Sequence, residues 1–279
     1  MAQVKSHKQA VINYYATRES RWGYKYLLKG TKHYGYYPKN KRLSMAEAQL
    51  EMEKKLGRCL ALPKGSLVLD AGCGEGLVAL HINQEFGYKI CGIDLLDWAI
   101  KNANKNQLRS AQKNLDFRQG DYQNINYPDN HFDGVYTMET ISHASDYKKV
   151  LKELYRVLKP GGVMVNFEYA LDQNLPEKDE RVWRNIYQNG ALINTYEDFR
   201  RGKMEQIWQA AGFVKTSITE ITPNMVPFMK RLHDLALVPY YVLRLMGKEE
   251  SRVNTYTGVR SYRLRHQFHY TIIKSYKPH

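Results

Sequence analysis

Val68-Leu69-Asp70-Ala71-Gly72-Cys73-Gly74-Glu75-Gly76 runs from a short apolar strand into a glycine-rich turn, and a helical pattern from Leu77 to Phe86 follows it. Glycine lacks a Cβ, so three glycines at alternate positions let the backbone turn tightly and lie close against a ligand. The N-terminus of the next helix adds unsatisfied N–H donors and a positive dipole end, which suits a carboxylate. Dinucleotide-binding domains also place such a turn after their first strand, but they space it G-x-G-x-x-G. Gly72, Gly74 and Gly76 do not follow that spacing.

Outward from the turn, strand and helix patterns alternate. Lys89 to Ile93 reads as a second strand, Leu96 to Ser110 as a helix, Leu115 to Arg118 as a third strand and Phe132 to Thr137 as a fourth. From Tyr147 to Leu158 the residues Val150, Leu151, Leu154, Val157 and Leu158 share one helical face. Lys159-Pro160-Gly161-Gly162 is expected to stop that helix, and Val163 to Phe167 to form a fifth strand. Repeated strand–helix units with short turns predict an α/β fold with a parallel, doubly wound sheet and helices on both faces. Ligands of such sheets bind at the carboxyl ends of the strands. There the sequence offers Asp94-Leu95 after the second strand, Gly120-Asp121-Tyr122 after the third and Met138 after the fourth. Asp94 suits ribose hydroxyls, and Asp121 suits an adenine amino group. With Asp70, Gly72, Cys73, Gly74 and Gly76, these residues are the expected cofactor contacts.

On the N-terminal side, Lys8 to Thr17 is expected to be helical within an aromatic stretch that reaches Asn40. Ser44 with Glu47 three residues on forms a capping box for a helix that stops before Pro63. On the C-terminal side, the expectations are a helix from Glu197 to Ala211, strands from Phe213 to Ile221 and Gln267 to Ser275, and an apolar stretch from Thr222 to Val253 broken at Pro223, Pro227 and Pro239. The chain is therefore expected to divide into an N-terminal cap (1–62), a Rossmann-like core (63–175) and the rest of the core (176–279), with a lid insertion around 222–265.

The 279 residues carry 42 Lys and Arg against 28 Asp and Glu, a formal charge of +14. Such a surface attracts polyanions, among them nucleic acid, anionic lipid head groups and diphosphates. The basic residues are spread along the whole chain and form no arm, which weighs against a specific nucleic-acid partner. No apolar run is long enough to span a bilayer, and the first twenty residues hold no secretory pattern. The three cysteines have no metal-ligand spacing. A cytoplasmic protein with free thiols and no metal is expected, with peripheral contact to an anionic membrane and self-association left open.

With the segment from Arg156 to Gly162, the glycine turn and the strand-end acids resemble the class I S-adenosylmethionine-dependent methyltransferases. The resemblance goes further at His131-Phe132-Asp133-Gly134-Val135-Tyr136-Thr137-Met138-Glu139-Thr140-Ile141-Ser142-His143-Ala144. This segment is similar to that of the sterol 24-C-methyltransferases, whose fourth strand also ends in Glu with a His-Ala pair after it. Val165-Asn166-Phe167-Glu168-Tyr169 parallels their fifth strand, and the aromatics around Trp22 and His33 to Tyr37 resemble their N-terminal segment more loosely. The resemblance is strong from Leu67 to Ala170 and faint from Thr222 to Arg265. It implies S-adenosylmethionine as cofactor, S-adenosylhomocysteine as product, and a lipophilic acceptor. That acceptor would be an isoprenoid, with or without a diphosphate, or sterol-like.

Methylating an alkene carbon leaves a tertiary carbocation, which aromatic faces and carboxylates stabilise, and a base must then remove a proton. The expected catalytic residues are Glu139 or Glu168 as base, His143 as relay or orienting group, and Tyr169. The expected acceptor pocket holds Trp22, Tyr34, Tyr36, Tyr37 and Trp183. One rival is a small-molecule O- or N-methyltransferase with His143 as base. An RNA or DNA methyltransferase is a weaker one, because Thr137-Met138-Glu139-Thr140 stands where amino-group DNA enzymes carry Asn/Asp-Pro-Pro-aromatic.

Overall fold

The computed structural model describes residues 2–17, 23, 28, 30–190 and 192–279. Helix α1 (Ala2–Ala16) comes first, residues 31–44 belong to no helix or strand, and α2 (Met45–Leu60) begins at the expected cap: Ser44 Oγ accepts the Glu47 N–H, and the Glu47 carboxylate accepts the Ser44 N–H. The core then follows as β1 (Leu67–Ala71), α3 (Leu77–Phe86), β2 (Lys89–Asp94), α4 (Asp97–Ser110), β3 (Leu115–Gln119), β4 (Phe132–Met138), α5 (Tyr147–Val157) and β5 (Leu158–Leu171). Short α6 (Glu177–Arg184), α7 (Met204–Ala210), β6 (Val214–Glu220), α8 (Thr222–Leu245), α9 (Val253–Arg263) and β7 (Phe268–Tyr276) complete the described α-helices and strands.

The strands form one seven-stranded sheet in the order β3-β2-β1-β4-β5-β7-β6. The first five neighbours pair in parallel, while β7 runs antiparallel to both β5 and β6. The chain builds outward from β1 to β3 and then restarts at β4 on the other side of β1. A crevice opens where the strand order reverses, above the carboxyl ends of β1 and β4. Successive side chains on a strand point to opposite faces, and the core follows this rule. Val68, Val165 and Phe167 belong to one apolar cluster, whereas Leu69, Met164 and Ala170 belong to the one across the sheet.

Three expectations need correction. The helix expected from Glu197 is only Met204–Ala210, because Gly202 sits at φ +83°, a left-handed conformation that no α-helix continues through. The strand after α5 begins at Leu158, so Lys159-Pro160-Gly161-Gly162 ends the helix within the strand; Gly161 N–H bonds Lys277 O at 2.9 Å. The stretch from Thr222 is not broken at its prolines but forms one 24-residue helix. Pro223 lies in the first turn, where no N–H is needed. An interior proline costs about 3 kcal/mol, whereas fully burying a side chain such as Met225, Phe228 or Met229 returns roughly 1.5–3 kcal/mol each. All three are buried, so packing outweighs the helix defects.

Candidate active site

Two cavities meet above the crevice. The smaller, of about 140 Å³, lies on the glycine turn and the ends of β1, β2 and β4. Of the expected cofactor contacts, Asp70, Gly72, Cys73, Gly74, Asp94, Leu95, Gly120, Asp121, Tyr122 and Met138 line it. Gly76 does not. It starts α3 at φ +75°, and a Cβ there would come within 2.8 Å of the Phe117 ring, so this glycine serves close helix–strand packing. Gly72, at φ +97°, would bring a Cβ within 2.6 Å of the Thr140 side chain. Gly74, at φ +54°, would meet nothing nearer than Lys32 Nζ at 3.8 Å, so the turn is open to a ligand at this residue.

Asp94 ties this site together. Its Oδ2 accepts the Gly74 N–H at 2.8 Å and its Oδ1 the Leu96 N–H at 2.9 Å. One carboxylate thus joins the glycine turn to the start of α4. Asp121 accepts the Gln123 N–H at 2.8 Å and is paired with Lys8 from α1. Tyr122 donates its O–H to Thr140 O at 3.0 Å. Asp70 accepts the Tyr136 O–H at 2.7 Å, and burial pushes its carboxyl up to about 7. An acid placed for a diol, a glycine cradle open to ligand and the N-terminus of a ten-residue helix suit the ribose, the chain and the carboxylate of a nucleoside amino acid.

The larger cavity has a volume of about 1420 Å³. Its walls come from α8, α9, the turn after α6 and the ends of β5 and β7, and they are mostly apolar and aromatic. Tyr15, Lys32, His33, Glu139 and His143 line both cavities and so mark their junction.

Glu139 follows the last residue of β4 with a left-handed backbone at φ +55°. Its N–H still bonds Phe167 O at 2.8 Å, and its Oε1 accepts the Tyr34 N–H at 2.9 Å and the Tyr270 O–H at 2.7 Å. Oε2 accepts no hydrogen bond from the described residues. Burial pushes the carboxyl up to about 7, against the opposing pull of His33, Tyr270 and Tyr34. This value suits a base working near neutral pH. His143 Nε2 lies 3.1 Å from Tyr15 Oη. His33 Nδ1 lies 2.8 Å from Tyr34 O and Nε2 3.1 Å from Glu53 Oε1, while Glu53 Oε2 lies 2.6 Å from His81 Nδ1. Burial opposes the charge on His33, but the Glu53 carboxylate more than offsets this and raises its pKa.

The acceptor-pocket residues divide. Tyr34 and Trp183 line the larger cavity, and Trp183 is held by its N–H donated to Gln267 Oε1 at 2.9 Å. Tyr36 and Tyr37 line neither cavity. Tyr36 N–H bonds Ala48 O, and the Lys55 ammonium sits 5.0 Å from its ring, which ties it to α2. Tyr37 is buried against α8 and accepts from Arg231 at 2.8 Å. Trp22 lies outside the described residues.

Of the expected catalytic residues, Glu139, His143 and Tyr169 line the larger cavity and Glu168 lines neither. Strand alternation explains the difference: Tyr169 points to the cavity face of β5 and its neighbour Glu168 to the other. There Glu168 is fully buried and accepts the Ser142 N–H at 3.2 Å. Burial, then the charge of Glu139, pushes its carboxyl up to about 8. The folded value is above the unfolded one, so stability from this group is full below the unfolded pKa and is lost as pH rises through about 8. Glu168→Gln is expected to retain turnover and to narrow the Tm gap between pH 6 and pH 9 by about 2–4 °C. Loss of turnover in a folded variant would restore Glu168 as a candidate base.

The sequence assigns no site role to Tyr15, Lys32, His33 or Tyr270, although His33 begins the aromatic stretch that runs to Tyr37. No site motif marks them, because α1, the loop that carries Lys32 and His33, and β7 reach the junction only through the tertiary fold.

A profile described as a methyltransferase domain matches residues 69–166. The chain is 31% identical to the S-adenosyl-L-methionine-dependent Diels-Alderase of Talaromyces variabilis, over 97% of this chain and 96% of that protein. It is 30% identical to the sterol 24-C-methyltransferase of Pneumocystis carinii (strain B80), over 63% of this chain and 49% of that protein. Among solved structures, the [4+2]-cyclase SpnF superposes with a TM-score of 0.78 at 23% identity, covering 97% of each chain, which shows a shared fold.

Proposed function

This chain belongs to the S-adenosyl-L-methionine-dependent methyltransferase family, and from that premise we propose that it methylates a carbon of a lipophilic, unsaturated acceptor, isoprenoid or sterol-like, held in the larger cavity. S-adenosylmethionine is its cofactor, and it supplies a methyl group made electrophilic by the attached sulfonium. Asp94 holds the ribose, Asp121 and Leu95 the adenine, and the glycine turn the amino-acid end.

The observation that carries the reading is the position of Glu139 at the junction of the two cavities, one carboxylate oxygen anchored and the other open. The acceptor's π pair forms the new C–C bond as the S–CH₃ bond breaks, its electrons remaining on sulfur. The resulting cation lies among the faces of Tyr34, Tyr169, Tyr187 and Phe228, which line the same cavity. Glu139 Oε2 takes the neighbouring proton, and the C–H pair restores a double bond. Tyr15 orients His143 at the rim through their hydrogen bond. Similarity to a protein named as a sterol 24-C-methyltransferase supports this chemistry, and it spans about half of that protein.

A second reading rests on the relative matched over nearly its whole length, which is named as a Diels-Alderase. On that reading the same cavity folds a polyene for a [4+2] cycloaddition, and the cofactor keeps its methyl group. One assay separates the two. Methyl-labelled cofactor is incubated with sterols, prenyl diphosphates of several lengths, phenolic small molecules, linear polyenes and total RNA, and products are read by mass spectrometry. Label on carbon of an isoprenoid or sterol is the expected result. An unlabelled product isobaric with its substrate favours cyclisation, and label on oxygen, nitrogen or RNA overturns the acceptor class.

A further inference from the structure

The C-terminal half of α8 presents an apolar stripe to solvent. Leu235, Val238, Val242 and Leu245 follow one another at spacings of three and four, so they share one helix face. They are 52%, 73%, 52% and 89% exposed, and Met246 beside them is 58% exposed. The opposite face of the helix carries Tyr240, fully buried beneath Arg263. Solitary exposed apolar residues are ordinary, whereas a contiguous stripe marks a surface that something covers.

Two further observations identify the cover. Leu235, Val238 and Val242 also line the larger cavity, so the cavity opens at the stripe. The flanking charge is positive: from Leu235 to His266 there are six Lys and Arg (Arg244, Lys248, Arg252, Arg260, Arg263 and Arg265) against Glu249 and Glu250. Of these, Arg252 is itself exposed and lines the cavity. Among the described residues no helix is long and apolar enough to cross a membrane. An amphipathic helix with an apolar stripe and basic flanks lies in the interface of an anionic bilayer, its apolar side among the acyl chains.

We propose that the C-terminal half of α8 docks the enzyme on an anionic lipid surface, so that a lipophilic acceptor passes from the bilayer into the cavity without crossing water. This rests on the reading of the acceptor as lipophilic, but its test does not require the acceptor.

The test is flotation of the full chain with vesicles of pure phosphatidylcholine or of phosphatidylcholine with 30% phosphatidylserine. Leu245→Glu and Met246→Glu change exposed residues that line neither cavity, and both should bind S-adenosylhomocysteine as the wild type does. Binding of the wild type to the anionic vesicles, weakened about tenfold or more by either substitution and by raised salt, is expected. Failure of the wild type to float, or flotation unchanged in Leu245→Glu, overturns the proposal. So does a concentration-dependent dimer that Leu245→Glu abolishes in protein that ignores vesicles, which would assign the stripe to a second copy of the chain. Lipid binding without methyl transfer would leave this surface standing and bring down the acceptor reading instead.

Discussion

Asp94→Ala is expected to weaken binding of S-adenosylhomocysteine about a hundredfold or more, measured by titration calorimetry. Two hydrogen bonds from ribose hydroxyls to a carboxylate are worth about 1.5–3 kcal/mol each, so their joint loss reaches about 3 kcal/mol before any rearrangement. The rearrangement adds to it, because the same carboxylate holds the Gly74 N–H at 2.8 Å and the Leu96 N–H at 2.9 Å. Without it the glycine turn loses its tie to α4. Asp94→Asn keeps one acceptor oxygen and should lose less. A folded Asp94→Ala protein that binds within about threefold of wild type would remove Asp94 from the cofactor site, since that is under 1 kcal/mol.

The largest effect on turnover is expected at Glu139. Glu139→Gln keeps an oxygen for the Tyr34 N–H and Tyr270 O–H but replaces the open oxygen with an amide, which takes no proton. General-base contributions of about 10²–10⁴ set the expected fall in kcat, with cofactor affinity unchanged. The pH dependence gives an independent sign. The base works only when ionised, and burial pushes Glu139 up to about 7. Wild-type kcat/KM should therefore rise with pH through about 7 and level off above it, and the residual activity of Glu139→Gln should lack that limb. Equal loss of cofactor binding and turnover would show that Glu139 holds the cofactor and is not the base. Wild-type turnover in Glu139→Gln would remove it from the chemistry.

The sheet was legible because its signals are local. Alternation, helical spacing and the glycine turn each need only a few neighbouring residues, and every strand from β1 to β7 lies at its expected place, with β5 alone running well past both of its expected ends. The failures arise where distant parts of the chain decide. The prolines of α8 argue for breaks, and only the bulk packed beneath the helix overrides them. Tyr36 and Tyr37 look like a cavity wall in sequence, but α2 and α8 claim them. Glu168 is a different case, because strand alternation alone forbids Glu168 and Tyr169 from facing the same cavity. More of the expected cofactor contacts than of the expected acceptor-pocket residues line a cavity, for a related reason. The cofactor contacts follow strand ends, whereas the larger cavity is walled by α8 and α9, where the family resemblance fades.

The position of β7 has a consequence for how the protein is made. It lies between β5 and β6 although it is the last of the three along the chain. On the ribosome β6 therefore emerges with no strand to pair with, while the almost wholly buried β5 shows an open edge. Unpaired apolar edges recruit other chains, so the chain is open to aggregation until β7 closes the sheet. The strand that closes the edge also carries Tyr270, whose hydroxyl anchors Glu139. Protection from aggregation and completion of the Glu139 carboxylate's hydrogen bonding thus arrive in one folding event, and a chain interrupted before Phe268 has neither.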